Sequence, residues 1–220
     1  MKGNSHTYLI VGCGHFGSRA VIKLFQKDPQ SKIIVVDKNK EALQSISRLP
    51  VGTTVCDGII YLCQFLSEGR KADYIIPAVP LHLAFEFILS QLKPLGAKRK
   101  RIPSISGLPN PVIGKTGDLY ASLANFLCSE DCLEPAQYCT ITKKRHPKPH
   151  YKILNDLEGA FESRVIRSQQ LGPGIGGFQA KALLNLLENL KNLKKKIGSG
   201  GLILISTASR CHGVTSGLSF

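Results

Sequence analysis

No apolar run in the chain approaches the roughly 20 residues needed to cross a bilayer, so a spanning helix is not expected. The opening stretch, Met1 to His6, leads straight into a short apolar segment and a glycine turn. It has neither the apolar core nor the cleavage site of a secretory signal, and the expectation is a cytoplasmic protein. Seven cysteines is an odd number, and without a secretory context a disulfide framework is not expected; reduced thiols or metal ligands are. Nothing repeats at a solenoid period, which excludes a repeat array. Acidic residues are scarce, 15 against 29 Lys and Arg, and the net charge is +14. A field of that sign attracts polyanions and small anions. The basic residues gather at Lys98–Arg101, Lys143–His150 and Lys191–Lys196. Aromatic residues do not interleave with these runs as a single-strand binder requires. They read first as solvated faces, with a nucleic-acid surface as the alternative.

What is present is a globular balance, 43% hydrophobic and 20% charged, in a chain long enough for an ordinary core. Stretches at 8–11, 32–37, 53–56 and 73–77 read as strands. Helical spacing at 18–27, 40–48, 59–66 and 81–92 alternates with them, the pattern of a parallel, doubly wound sheet. Beyond residue 92 the pattern breaks. A strand at 102–106 precedes a Cys- and Pro-rich stretch, 107–160, that reads as an insertion or cap. Alternation resumes with a strand at 164–167, a glycine run Gly172–Gly177, a long helix at 178–197 and a last strand at 202–205. The expectation is an α/β fold, a doubly wound and mostly parallel sheet of Rossmann type. Residues 1–106 supply one half, 107–160 the insertion and 161–220 the unit that completes the same sheet.

Gly12-Cys13-Gly14-His15-Phe16-Gly17 follows the first strand and opens a helix, the context in which a glycine turn cradles a pyrophosphate. Asp37 ends the second strand 20 positions after Gly17 (37 − 17), where an acid accepts from ribose hydroxyls and favours NAD over NADP; Lys38 beside it weakens that preference. The alternative is a glycine turn without a ligand. Together with Val35-Val36-Asp37-Lys38-Asn39 and Val55-Cys56-Asp57-Gly58, this stretch resembles the NAD-binding N-terminal domain of the Trk-type potassium-uptake regulators, over about residues 7–90. The resemblance implies a dinucleotide-binding regulatory protein, with Asp57 shaping the adenine side of the pocket.

Past the fourth strand, Ala78-Val79-Pro80 lies where dehydrogenases hold the nicotinamide. His82 reads there as a catalytic acid or base, or else as a capping or packing residue. Cys128, Cys132, Cys139 and Cys211 are expected to converge and to hold zinc or an iron–sulfur cluster, with His146, His150 or His212 able to replace one. Buried apolar thiols and a reactive thiol are the alternatives. His212 is the second candidate catalytic residue. The Gly172–Gly177 run, flanked by Arg167 and Arg210, reads as a cradle for a small anionic ligand. The functional expectation is a dinucleotide-binding regulator, expected to form a homodimer. An NAD-dependent oxidoreductase with a metal or cluster and a nucleic-acid-binding protein are the alternatives.

Overall fold

A computed structural model describes residues 5–145, 148–197 and 201–220. Strand β1 (Thr7–Val11) turns Leu9 and Val11 to one face and Tyr8 and Ile10 to the other, and all four are buried. A strand apolar on both faces belongs inside a covered sheet. Around it come α1 (His15–Lys27), β2 (Lys32–Asp37), α2 (Lys40–Gln44), β3 (Gly52–Val55), α3 (Gly58–Ser67), β4 (Tyr74–Pro77) and α4 (Leu83–Leu92). Strand β5 (Lys98–Lys100) then leads through β6 (Val112–Ile113), β7 (Leu119–Ser122) and α5 (His150–Asn155) to β8 (Phe161–Arg167). The chain ends with β9 (Gln169–Gly172), β10 (Ile175–Gln179), α6 (Ala180–Ile197), β11 (Leu202–Ala208) and β12 (His212–Ser219).

Two sheets form. The first has the order β3-β2-β1-β4-β10-β9 and the second the order β6-β7-β12-β11-β8, with β5 also paired to β12. Parallel pairing holds among β3, β2, β1 and β4, whereas β10 runs antiparallel to both β4 and β9. In the second sheet only β8 and β11 are parallel; β12, β7, β6 and β5 pair antiparallel. Both sheets are therefore mixed, and the expected single, mostly parallel doubly wound sheet is corrected. The reason lies in the glycine run. Gly174 takes φ +70°, a left-handed conformation that favours glycine, and reverses the chain between β9 and β10. The run is thus a hairpin added to the first sheet rather than a strand-to-helix loop, and α6 starts only at Ala180. Residues 161–220 are shared between two sheets instead of completing one.

Packing follows from the strand faces. α1 and α2 cover one side of the first sheet through Ala20, Val21, Leu24 and Leu43. α3, α4 and α6 lie on its other side, and Ile203, Ile205 and Leu218 of the second sheet join the same core. α5 closes the far face of the second sheet with Leu154 against Leu204 and Ala208. The expected strand at 102–106 is irregular, and the basic Lys98–Lys100 pairs with Leu218 and its neighbours in its place. No helix among the described residues is long and apolar enough to cross a membrane.

Candidate functional site

The glycine turn after β1 is built for close packing. Gly12 has φ +99°, and a Cβ there would strike the Ala78 carbonyl; a Cβ on Gly17 would strike the carbonyl of Gly12. Asp37 spends both carboxylate oxygens on the chain, accepting from Cys13 N at 2.6 Å and from Asn39 N at 2.7 Å. Asp57 caps α3, accepting from the backbone of Ile59 and Ile60. Ala78 N donates to Val11 O, Val79 packs on the turn, and Pro80 and Lys38 are exposed. Gly14 and His15 begin α1, but acids from the insertion face that end of the helix. His15 Nε2 lies 3.0 Å from Glu130, Arg19 pairs with Glu130 and Asp131, and Lys23 pairs with Asp131. Carboxylates of the chain itself thus engage Cys13 N and the side chains of His15, Arg19 and Lys23.

The same clamp fixes the insertion. Cys132 O accepts from Gly174 N at 2.9 Å and from Gln170 Nε2 at 2.8 Å. A Cβ on Gly174 would collide with the Glu130 carbonyl, so the hairpin and residues 130–132 meet backbone to backbone. Glu134 reaches the turn between β11 and β12, accepting from Arg210 N at 2.7 Å and from Cys211 N at 3.3 Å. Leu123 N donates to Cys211 O from the other side. The insertion therefore bridges α1, the hairpin and the β11–β12 turn.

Beneath this bridge lies a cavity of about 900 Å³, within the range of small-molecule sites. It opens beyond the carboxyl ends of β8 and β11, where Ser168 and Thr207 lie. Cys128, Cys132, Cys139 and Cys211 all line it, with Phe16, Leu123, Phe126 and Ile141 as apolar walls. The expected convergence of the four cysteines is present. No group of three or more His, Cys, Asp or Glu among the described residues stands in a metal-holding arrangement, so the metal-binding reading is corrected.

Four thiols in one cavity are not equivalent. Burial pushes the Cys211 thiol up to about 12, with Glu134 adding to the effect. Burial also raises Cys128, helped by Cys132 and Cys139. Cys139 moves the other way, because the backbone and side chain of Thr142 hydrogen-bond its sulfur and Lys143 is close. Of these three shifts, only that of Cys139 favours the thiolate.

His212 edges the cavity, its Nδ1 3.2 Å from Ser122 Oγ, and desolvation lowers its pKa. His82 does not reach the cavity as a free group. It is 2% exposed, with Nδ1 2.7 Å from Ser216 Oγ and Nε2 2.9 Å from Thr207 Oγ1, and burial pulls it down to about 3. Both ring nitrogens are occupied within the interface of the two sheets, the arrangement of a packing residue.

Arg167 stacks on Tyr151 at 4.8 Å, and neither it nor Arg210 lines the cavity. The lining cations are Lys144 and Arg145, with no ion pair among the described residues. Sequence reasoning marked their basic run but not its direction; the signal was its position just after Cys139. His146 and the side chains of Lys195 and Lys196 lie outside the described residues.

These features define a two-sheet α/β protein with a thiol-lined cavity under a clamped insertion. The chain belongs to the family described as "Uncharacterized protein, C-terminal domain", whose model matches residues 84–220. A protein of Archaeoglobus fulgidus, itself described as "Uncharacterized protein", is 29% identical over 226 residues, covering 96% of this chain and 98% of its own length. The matched family is not the potassium-uptake regulators, and its span contains the whole cavity-forming insertion. With the mixed sheets, it overturns the regulator resemblance and the dinucleotide-dependent functions drawn from it, regulatory and oxidoreductase.

Proposed function

We propose that the protein binds a small acidic, thiol-reactive molecule in the four-cysteine cavity. Lys144 and Arg145 attract its acidic group, the apolar walls take its body, and Cys139 engages its reactive centre. The observation that carries this reading is the gathering of four of the seven cysteines and two cations around one cavity. Low-molecular-weight disulfides fit the chemistry. The Cys139 thiolate, its proton released to solvent, attacks one sulfur of the ligand; the ligand's S–S bond breaks and its other half leaves as a thiolate. A thiolate favoured by hydrogen bonds and solvent access is the form that reacts.

The test is reaction of the reduced full chain with dithiobis(nitrobenzoate), an anionic aromatic disulfide, quenched early and mapped by peptide mass spectrometry. Cys139 is expected to be modified first, ahead of Cys56 and Cys63, which do not line the cavity. First modification at Cys56 or Cys63, or equal rates at all sites, overturns the proposal. So does stoichiometric zinc or iron in the purified protein that masks the cavity thiols.

A further inference from the structure

Cys139 and Cys132 differ in how they are held. Cys132 sits on backbone fixed from two sides, its carbonyl bonded to Gly174 N and to Gln170 Nε2. Cys139 begins a tight turn closed by its own bonds, Cys139 N to Lys144 O and Lys143 N to Cys139 O, with Lys143 at φ +57°. An isolated bridge between Tyr138 and Arg145 flanks the turn. Across the cavity wall, Cys132 Sγ lies 3.7 Å from Thr140 Oγ1, the hydroxyl of the residue next to Cys139. Glu134 N donates to the same sulfur at 3.4 Å and keeps it turned toward that side. Cys132 is therefore anchored, and Cys139, also lining the cavity, immediately precedes the residue that the Cys132 sulfur touches.

From this placement we propose that Cys132 and Cys139 form a redox-reversible disulfide that closes the cavity. The inference rests on the thiol-dependent reading above and adds its regulation. With a hydroperoxide as oxidant, the Cys139 thiolate attacks the peroxide oxygen. The O–O bond breaks, the sulfur becomes a sulfenic acid, and the remaining oxygen leaves as water or alcohol after taking a proton. The Cys132 sulfur then attacks that sulfenic sulfur, the S–O bond breaks, water leaves, and the S–S bond forms. Two thiols are oxidised and one peroxide is reduced. A small dithiol reverses the step by exchange. Cys128 and Cys211 are poorer partners, because burial holds both as thiols.

The pairing is read by treating the reduced full chain with hydrogen peroxide, blocking free thiols and mapping cross-linked peptides without reductant. A dominant Cys132–Cys139 link that dithiothreitol removes is the expected result. In the Cys132→Ser variant the link is lost and a dimedone adduct at Cys139 rises severalfold. Linkage of Cys139 to Cys128 or Cys211, or no linkage at all, overturns the proposal; the wild-type map alone decides this if the variant does not fold. Failure here is separable from failure of the binding reading. The wild type's early reaction of Cys139 with dithiobis(nitrobenzoate), measured on the reduced chain without peroxide, reports on that reading alone.

Discussion

His82 and His150 are both buried, and their surroundings differ. Ser216 donates its hydroxyl to Asp118, so its oxygen accepts from His82 Nδ1–H, and Nε2 then accepts from the Thr207 hydroxyl. His150 has no hydrogen-bond partner for either ring nitrogen among the described residues, and burial, with His212 nearby, lowers it to about 4. Both folded values lie below the ordinary histidine value of 6.5. Below that pH the unfolded chain takes up protons that the folded chain refuses. The stabilising difference is thus full above pH 6.5 and is lost as pH falls toward 4, by about 1.4 kcal/mol per pH unit for each histidine. Urea midpoints measured between pH 7 and 4.5 are expected to fall accordingly. His150→Leu should make that slope shallower, with His82 and the likewise lowered His212 keeping the rest, and leave stability at pH 7 nearly unchanged, since no hydrogen bond among the described residues is lost. An unaltered slope in the variant contradicts the assignment. His82 also shows the limit of sequence reading at this scale. Its place before a helix was legible, but the Ser216 and Thr207 that occupy its nitrogens lie 134 and 125 positions away.

The hairpin of β9 and β10 and the acidic pair Glu130-Asp131 decide where the insertion rests. Gly174→Ala puts a methyl group on the Glu130 carbonyl in a left-handed conformation, and so forces the two backbones apart. The expected loss is roughly 1–3 kcal/mol, read as a lower urea midpoint and as faster proteolysis within residues 126–134. By contrast, Glu130→Gln combined with Asp131→Asn removes only exposed ion pairs, and should leave the urea midpoint nearly unchanged. Its readout is hydrogen exchange: faster in residues 128–134, unchanged in β1. Equal protection in both forms would show that the ion pairs do not hold the wall. At this scale the first four strands and helices were legible, because short continuous apolar runs separate segments whose apolar residues recur at helical spacing. β12 was not, because Gly213, Thr215, Ser216 and Gly217 dilute its apolar pattern. The hairpin was misread because a glycine run between a strand and a helix has the same local composition whether it turns back or opens a helix.

Across the whole molecule, two mixed sheets share one core, and the insertion joins them over a cavity at their strand ends. Cys128, Cys132, Cys139 and Cys211 line one cavity, although the single parallel sheet from which their convergence was expected does not form. The cations were not, since nothing local to Lys144 and Arg145 says which way their turn faces. The net charge of +14 favours anions everywhere, so a preference at the cavity has to be separated from the general field. The direct measurement is the rate of Cys139 modification by anionic dithiobis(nitrobenzoate) relative to neutral dithiodipyridine, each normalised to glutathione. It is made on the wild type and on the Lys144→Ala, Arg145→Ala double variant, at low and high salt. The account predicts a wild-type preference for the anionic reagent of roughly tenfold, about 1.4 kcal/mol, that weakens with salt and disappears in the double variant. The same ratio in both proteins would contradict it.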